Sequence, residues 1–309
     1  MNSIERNNVK IIGRGGKPIM FSHGYGCDQS IWRLVAPAFE DDHRVILFDH
    51  VGSGGSNIAK YDRCKYSSLH GYADDIVEIG HDLDLKGAIF VGHSVSSVMG
   101  ILAAIKDPNL FDELILIGPS PCYINDGDYI GGFSADDIKQ MMELVESNYE
   151  GWARTMAPVI MGGNNPPELT MELLENFCRT KPEIAQHFAA VTFLSDNRKD
   201  LPQLSKPSLI LQCRHDSIAP VSVGKYLNTQ LKQSKLKIID VSGHCPHLSA
   251  PNVITESIRN YLNHASGASR ARDRIFHEPV LGDQPRDQGH DEPVDYRTQF
   301  GQQGSISIE

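Results

Sequence analysis

The sequence predicts an α/β protein in which a mostly parallel sheet carries helices on both faces and an all-helical block is inserted in the chain. Three observations carry this. Short apolar runs bounded by turn residues alternate with longer stretches of helical period, as expected of strands buried on both faces and the helices that cover them. Strand-like runs cease between Pro121 and about Asp200. One apolar run also ends in a tight turn at Ser94 that opens directly into a helix of small and apolar residues.

Taken in order, Val9 to Ile12, Ile19 to Ser22, Arg44 to Phe48, Ala88 to Val91, Glu113 to Ile117, Ser208 to Gln212 and Lys235 to Val241 read as strands, with helices between most of them. In the strand-free stretch, segments from Ser134, Tyr149, Pro166 and Pro182 read as helices punctuated by Gly-Gly and Pro-Pro turns. Four amphipathic helices between two strands have apolar faces that need a surface to cover, so residues 121–200 are expected as a lid on a core of 1–120 and 201–265. After Ala265 the chain turns polar, with only isolated Ile275-Phe276 and Val280-Leu281, and 266–309 is expected as a disordered tail.

Composition narrows the function classes. With 309 residues, 40% hydrophobic and 22% charged, the chain is globular, and its length suits one large domain with an appendage. Lys and Arg number 29 against 39 Asp and Glu, a net charge of −10, and no basic patch breaks the acidic field, so neither nucleic acid nor an anionic membrane is an expected partner. No uncharged apolar run nears the ~20 residues that span a bilayer. Residues 1–8 lack an apolar segment with a small-residue cleavage site, which points to a cytoplasmic protein, or a nuclear one in a eukaryote. Cys27, Cys64, Cys122, Cys178, Cys213 and Cys245 form no Cys-x-x-Cys pair and read as thiols in a reducing compartment.

The chemistry centres on Gly92-His93-Ser94-Val95-Ser96. An apolar strand followed by such a turn and a helix holds a serine in a strained conformation at the strand's carboxyl end, and its neighbours must be small because strand and helix nearly touch. Ser96 stands where the usual pattern has a second glycine. The alternative for Ser94 is a plain helix cap. As a nucleophile it needs a histidine to take its proton and a carboxylate to orient that histidine. Asp216 follows the strand ending at Gln212, and His244 follows Gly243 after the last strand, with His247 as the other candidate base. His215, Asp216, Cys213, Cys245 and His247 match no common zinc spacing, and a metal there would compete with the triad, so neither metal nor cofactor is expected. The Val95 amide and, in the glycine-flanked loop after the second strand, the Tyr25 amide are the expected oxyanion donors, with His23 shaping that loop. Asp49 to Ser56 is glycine-rich but fails the dinucleotide pattern and reads as a surface turn.

Over residues 6–264 the chain resembles the α/β-hydrolases. The likeness is to the small group that contains the bacterial stress-response regulator RsbQ and the plant karrikin and strigolactone receptors. The resemblance rests on Gly24-Tyr25-Gly26-Cys27-Asp28-Gln29-Ser30-Ile31-Trp32, Gly92-His93-Ser94-Val95-Ser96, Ser120 to Asp126, Gly131-Gly132-Phe133, Asn148-Tyr149-Glu150-Gly151-Trp152 and Gly243-His244-Cys245-Pro246-His247. It implies serine at position 96, the base at His244, and a V-shaped four-helix lid over an apolar pocket lined by Tyr25, Val95, Phe133, Trp152, Met156, Phe193 and Ile218. By helical period alone, Met156 and Phe193 would be ordinary packing residues. The implied activity is cleavage of an ester, lactone or enol-ether-like bond in a small hydrophobic molecule by a Ser94–His244–Asp216 triad in a signalling role. The alternative is a slow or non-catalytic receptor that signals through a protein partner of the phosphatase-regulator type at the lid. A monomer is expected.

Overall fold

The computed structural model describes residues 2–270. Along the chain run α1 (Ser3–Arg6), β1 (Lys10–Ile12), β2 (Lys17–Ser22), β3 (His43–Leu47), α2 (Leu69–Asp82), β4 (Ala88–His93), α3 (Val95–Lys106) and β5 (Phe111–Ile117). Four helices follow, α4 (Ala135–Ser147), α5 (Tyr149–Met161), α6 (Pro167–Arg179) and α7 (Pro182–Phe193). The chain then returns through β6 (Ser208–His215), α8 (Val221–Gln230), β7 (Ser234–Ser242), α9 (Pro246–Ser249) and α10 (Pro251–Arg270). The tail expected over 266–309 lies, from residue 271 on, outside the described residues. Among the described residues no helix is long and apolar enough to cross a membrane.

The seven strands form one sheet in the order β1-β3-β2-β4-β5-β6-β7, with β1 antiparallel to β3 and every other pair parallel. All seven expected strands are present. Five run further than their apolar stretches suggested, β4 and β6 by two or three residues at their carboxyl ends, because parallel neighbours keep pairing: His93 aligns with Ile117 and His215 with Ser242. From β2 the chain goes to β3 on one side, while β4 and all later strands build on the other, so the carboxyl ends of β2 and β4 flank the switch point where open α/β sheets place ligands.

Every residue of β4 is buried, as are Val95 to Ala104 of α3, so that strand–turn–helix unit is the centre of the core. The two elements approach closely at Gly92, where a Cβ would lie 2.8 Å from the Ser96 carbonyl and from the Phe90 ring. Each of the four middle helices starts where local chemistry favours it. Ser134 and Asp137 form a capping box on α4, the Asn148 side chain caps α5, and prolines occupy the first turns of α6 and α7.

Candidate active site

Ser94 sits between β4 and α3 with φ 57° and ψ −127°, a strained combination for a residue with a Cβ. Its N–H donates to the Ile117 carbonyl at 2.8 Å, which ties the turn to β5, and its carbonyl accepts from Ser97. The Ser94 hydroxyl meets His244 Nε2 at 2.8 Å, and His244 Nδ1 meets Asp216 Oδ2 at 2.7 Å. The other Asp216 oxygen accepts the N–H groups of Ile218 and Ala219 at 2.8 and 3.0 Å. With a carboxylate on Nδ1, the imidazole donates there and leaves Nε2 as acceptor for the serine proton. All three side chains are buried.

Two features hold His244 in place. Gly118, just past β5 with φ +56°, lies so close that a Cβ there would stand 3.1 Å from the imidazole Cε1 and 3.6 Å from Asp216 Oδ2. The His244 N–H donates to the Ile160 carbonyl of α5 at 2.7 Å, satisfying one of the orphan carbonyls at that helix end.

The two segments expected to offer oxyanion donors both lie beside the serine. Val95 is the first residue of α3, ahead of the helix's own hydrogen bonding, and Tyr25 lies in a turn closed by Cys27 N–H on Gly24 O. A Cβ on Gly24 would lie 3.3 Å from Ser94 Cβ, so this turn runs alongside the serine. His23 does shape the loop: its ring bonds the Gly24 carbonyl and accepts the His50 N–H.

Asp49 to Ser56 is not the surface turn its composition suggested. Asp49, His50, Val51 and Ser53 are buried, because the Asp49 carboxylate accepts from Gln29 N–H, Asn8 Nδ2 and Gly55 N–H and so draws the loop inward. His50 Nε2 lies 2.8 Å from Ser96 Oγ, a second serine–histidine pair. It lacks a triad's wiring, since Ser96 Oγ donates to the His23 carbonyl and His50 Nδ1 has no hydrogen-bond partner among the described residues. Ser96 therefore links the turn at Ser94 to the Tyr25 loop.

His247 does not take the base's position. It is wholly buried in α9, its ring packed at a tilt against those of Trp32 and His93. Burial lowers its pKa to about 3 and drives those of His93 and His50 well down, so all three rings stay neutral. Among the described residues His93, Cys245 and His247 are one group of potential metal donors, with ligand atoms within 4.8 Å of one another, but His93 Nε2 is already engaged by the His244 carbonyl. Cys213, grouped with Cys245 and His247 by sequence, is not in it.

Ser94 and His244 open on a cavity walled by Tyr25, Trp152, Met156, Phe193 and Ile218, together with Cys27, His93, Tyr123, Ile160, Leu173, Phe177, Thr192 and Cys245. Phe133 is not part of this wall. Its pairing with Ile124 and its N–H bond to the Tyr123 carbonyl set it one layer back and bring Tyr123 to the cavity. Val95, also expected on this wall, is not part of it. Thr192 and Phe177 carried no local signal of a role, whereas Tyr123 lies within the Ser120 to Asp126 stretch that carries the resemblance.

A family model described as Alpha/beta hydrolase family matches residues 19–256. A karrikin insensitive 2 receptor from Petunia hybrida is 37% identical over 261 residues, covering 84% of this chain and 97% of that protein. A strigolactone esterase from Arabidopsis thaliana is 36% identical over 262 residues, covering 84% and 98%. The solved structure of a hydrolase from Oleispira antarctica is 40% identical, with a TM-score of 0.83 over 84% of this chain and 96% of that one.

Proposed function

The chain belongs to the α/β-hydrolase family, and from that premise we propose that it cleaves an ester, lactone or enol-ether-like bond of a small hydrophobic molecule through Ser94, His244 and Asp216. The observation that carries this reading is the unbroken hydrogen-bonded line from Ser94 Oγ through His244 to Asp216, opening on an apolar cavity. Ser94 Oγ attacks the carbonyl carbon while His244 Nε2 takes its proton, and the oxyanion is held by the Tyr25 and Val95 amides. His244 returns the proton to the leaving oxygen, and the acyl group stays on Ser94. A water deprotonated by His244 then releases the acid and restores the serine. Asp216 keeps the imidazole in its tautomer and balances its transient charge.

Residues 121–200 act in this reading as a lid on a core of 1–120 and 201–265, since α5, α6 and α7 supply much of the cavity wall. Six free cysteines support a reducing, cytoplasmic setting. Relatives named both as receptors and as esterases align over nearly their whole length, which favours a second role as a ligand sensor that engages a protein partner through the lid. Slow single-turnover cleavage with ligand-dependent partner binding supports the sensor; fast multiple turnover without a partner supports a plain esterase.

The test is hydrolysis of a short-chain chromogenic ester, with intact-mass analysis for an adduct on Ser94 or His244. Ser94→Ala should abolish turnover at unchanged thermal stability. Undiminished turnover by that variant overturns the proposal.

A further inference from the structure

Tyr123 is the cavity-wall side chain that the triad does not account for. It is 1% exposed, and its hydroxyl has no hydrogen-bond partner among the described residues. A buried unpaired hydroxyl is costly, and such groups are retained where something else satisfies them. Its position is well determined. The backbone is pinned between the Cys122–Asp196 and Ile124–Phe133 bridges, and the ring packs edge-on against Phe193 at 5.1 Å. Trp152 Nε1 and Thr192 Oγ1 are also unbonded on this wall; the Tyr123 hydroxyl lies near enough to Ser94 for that side chain to oppose the rise that burial gives its pKa. Burial raises its pKa, so it remains a donor throughout the working range.

We propose that Tyr123 donates a hydrogen bond to the non-carbonyl oxygen of the bond that Ser94 attacks, so that the site selects oxygen esters and lactones over thioesters and cyclic ketones. The inference rests on the serine-hydrolase reading and deepens it by naming the substrate class. A carbonyl carbon within reach of Ser94 Oγ carries two heteroatoms in an ester. The carbonyl oxygen is taken by the Tyr25 and Val95 amides, and the remaining oxygen must lie near the serine, where the Tyr123 hydroxyl is a free donor. When the C–O bond breaks, that oxygen keeps the electron pair and accepts the proton from His244 Nε2. Tyr123 keeps its own proton and stabilises the developing charge by its hydrogen bond. Sulfur is a weak acceptor and a ring methylene is none, so neither gains from it.

Tyr123→Phe keeps the ring and removes the donor. On an oxygen ester and a thioester with the same acyl and alkyl groups, the ester-to-thioester ratio of kcat/KM should fall about tenfold, the worth of one hydrogen bond. An unchanged ratio overturns the proposal, whether both rates fall together or neither does. A second measurement is independent of turnover. By calorimetry, Ser94→Ala protein should prefer a γ-lactone to the ketone of the same ring, and adding Tyr123→Phe should erase that preference. If wild type shows no Ser94-dependent turnover of either substrate, the hydrolase reading fails, and the calorimetric preference alone decides the role of Tyr123.

Discussion

The backbone N–H of His244 donates to the carbonyl of Ile160 at 2.7 Å, so the helical cover and the residue poised over Ser94 share a hydrogen bond. Asn165 reinforces the joint, its side-chain N–H₂ reaching the Met161 carbonyl at 2.5 Å and the Ser242 carbonyl at 3.0 Å. The end of α5 and the loop bearing His244 are thereby laced together from both sides.

Asn165→Ala is expected to leave two carbonyls without that donor, costing about 1–3 kcal/mol of local stability. Looser placement of His244 should lower ester kcat/KM by about threefold to tenfold, because small misplacements of a reacting group are costly. Kinetics together with limited proteolysis of the α5–α6 connection check this. Wild-type rates and wild-type protease resistance would show the joint to be idle.

Gly118 meets two demands that no other residue satisfies together. Its φ of +56° disfavours a side chain by about 1–2 kcal/mol, and a Cβ would press on the His244 ring. Gly118→Ala should therefore cost on the order of 100-fold in kcat while the melting temperature drops only a few degrees. A fall in stability with full activity in the remaining folded protein would contradict it.

Ser96 accepts from His50 Nε2 and donates to the His23 carbonyl, two residues before Tyr25. Ser96→Ala keeps the small volume demanded by the turn but removes the link, and should destabilise by about 1–3 kcal/mol. If the link positions the Tyr25 amide, kcat falls more than KM rises. Equal kinetics for Ser96→Ala and wild type would leave Ser96 as a space-filler.

Acid should destabilise the fold before the carboxylates titrate fully. Burial lowers the pKa of His23, His50, His93 and His247, the last to about 3. In the unfolded chain these histidines protonate near pH 6.5, so below that the unfolded state binds more protons and stability falls as pH falls, for His247 down to about pH 3. Each histidine in that window contributes about 1.4 kcal/mol per pH unit. Urea unfolding at pH 7.5, 6 and 5 measures the slope, and His247→Gln should reduce it by about one histidine's share. A flat profile would refute the assignment.

Much of this protein was legible in the sequence because it is local. Apolar runs bounded by turns marked all seven strands, proline and asparagine or serine caps marked the four middle helices, and Gly92-His93-Ser94-Val95-Ser96 announced a strained turn wherever it might fold. Chain order then pointed to Asp216 and His244. What the tertiary structure decided is everything that depends on contact between distant segments. His244 rather than His247 faces Ser94 because the α5 carbonyl and Gly118 hold its loop there, while Trp32 and His93 bury the other ring. Asp49 to Ser56 is interior because Asn8 and Gln29 reach its carboxylate from elsewhere in the chain. Tyr123 reaches the cavity in place of Phe133 because of a two-residue bridge. Periodicity records which way a residue faces within its own element; only the register of parallel strands and the seating of the helices above them determine which residues from different elements meet.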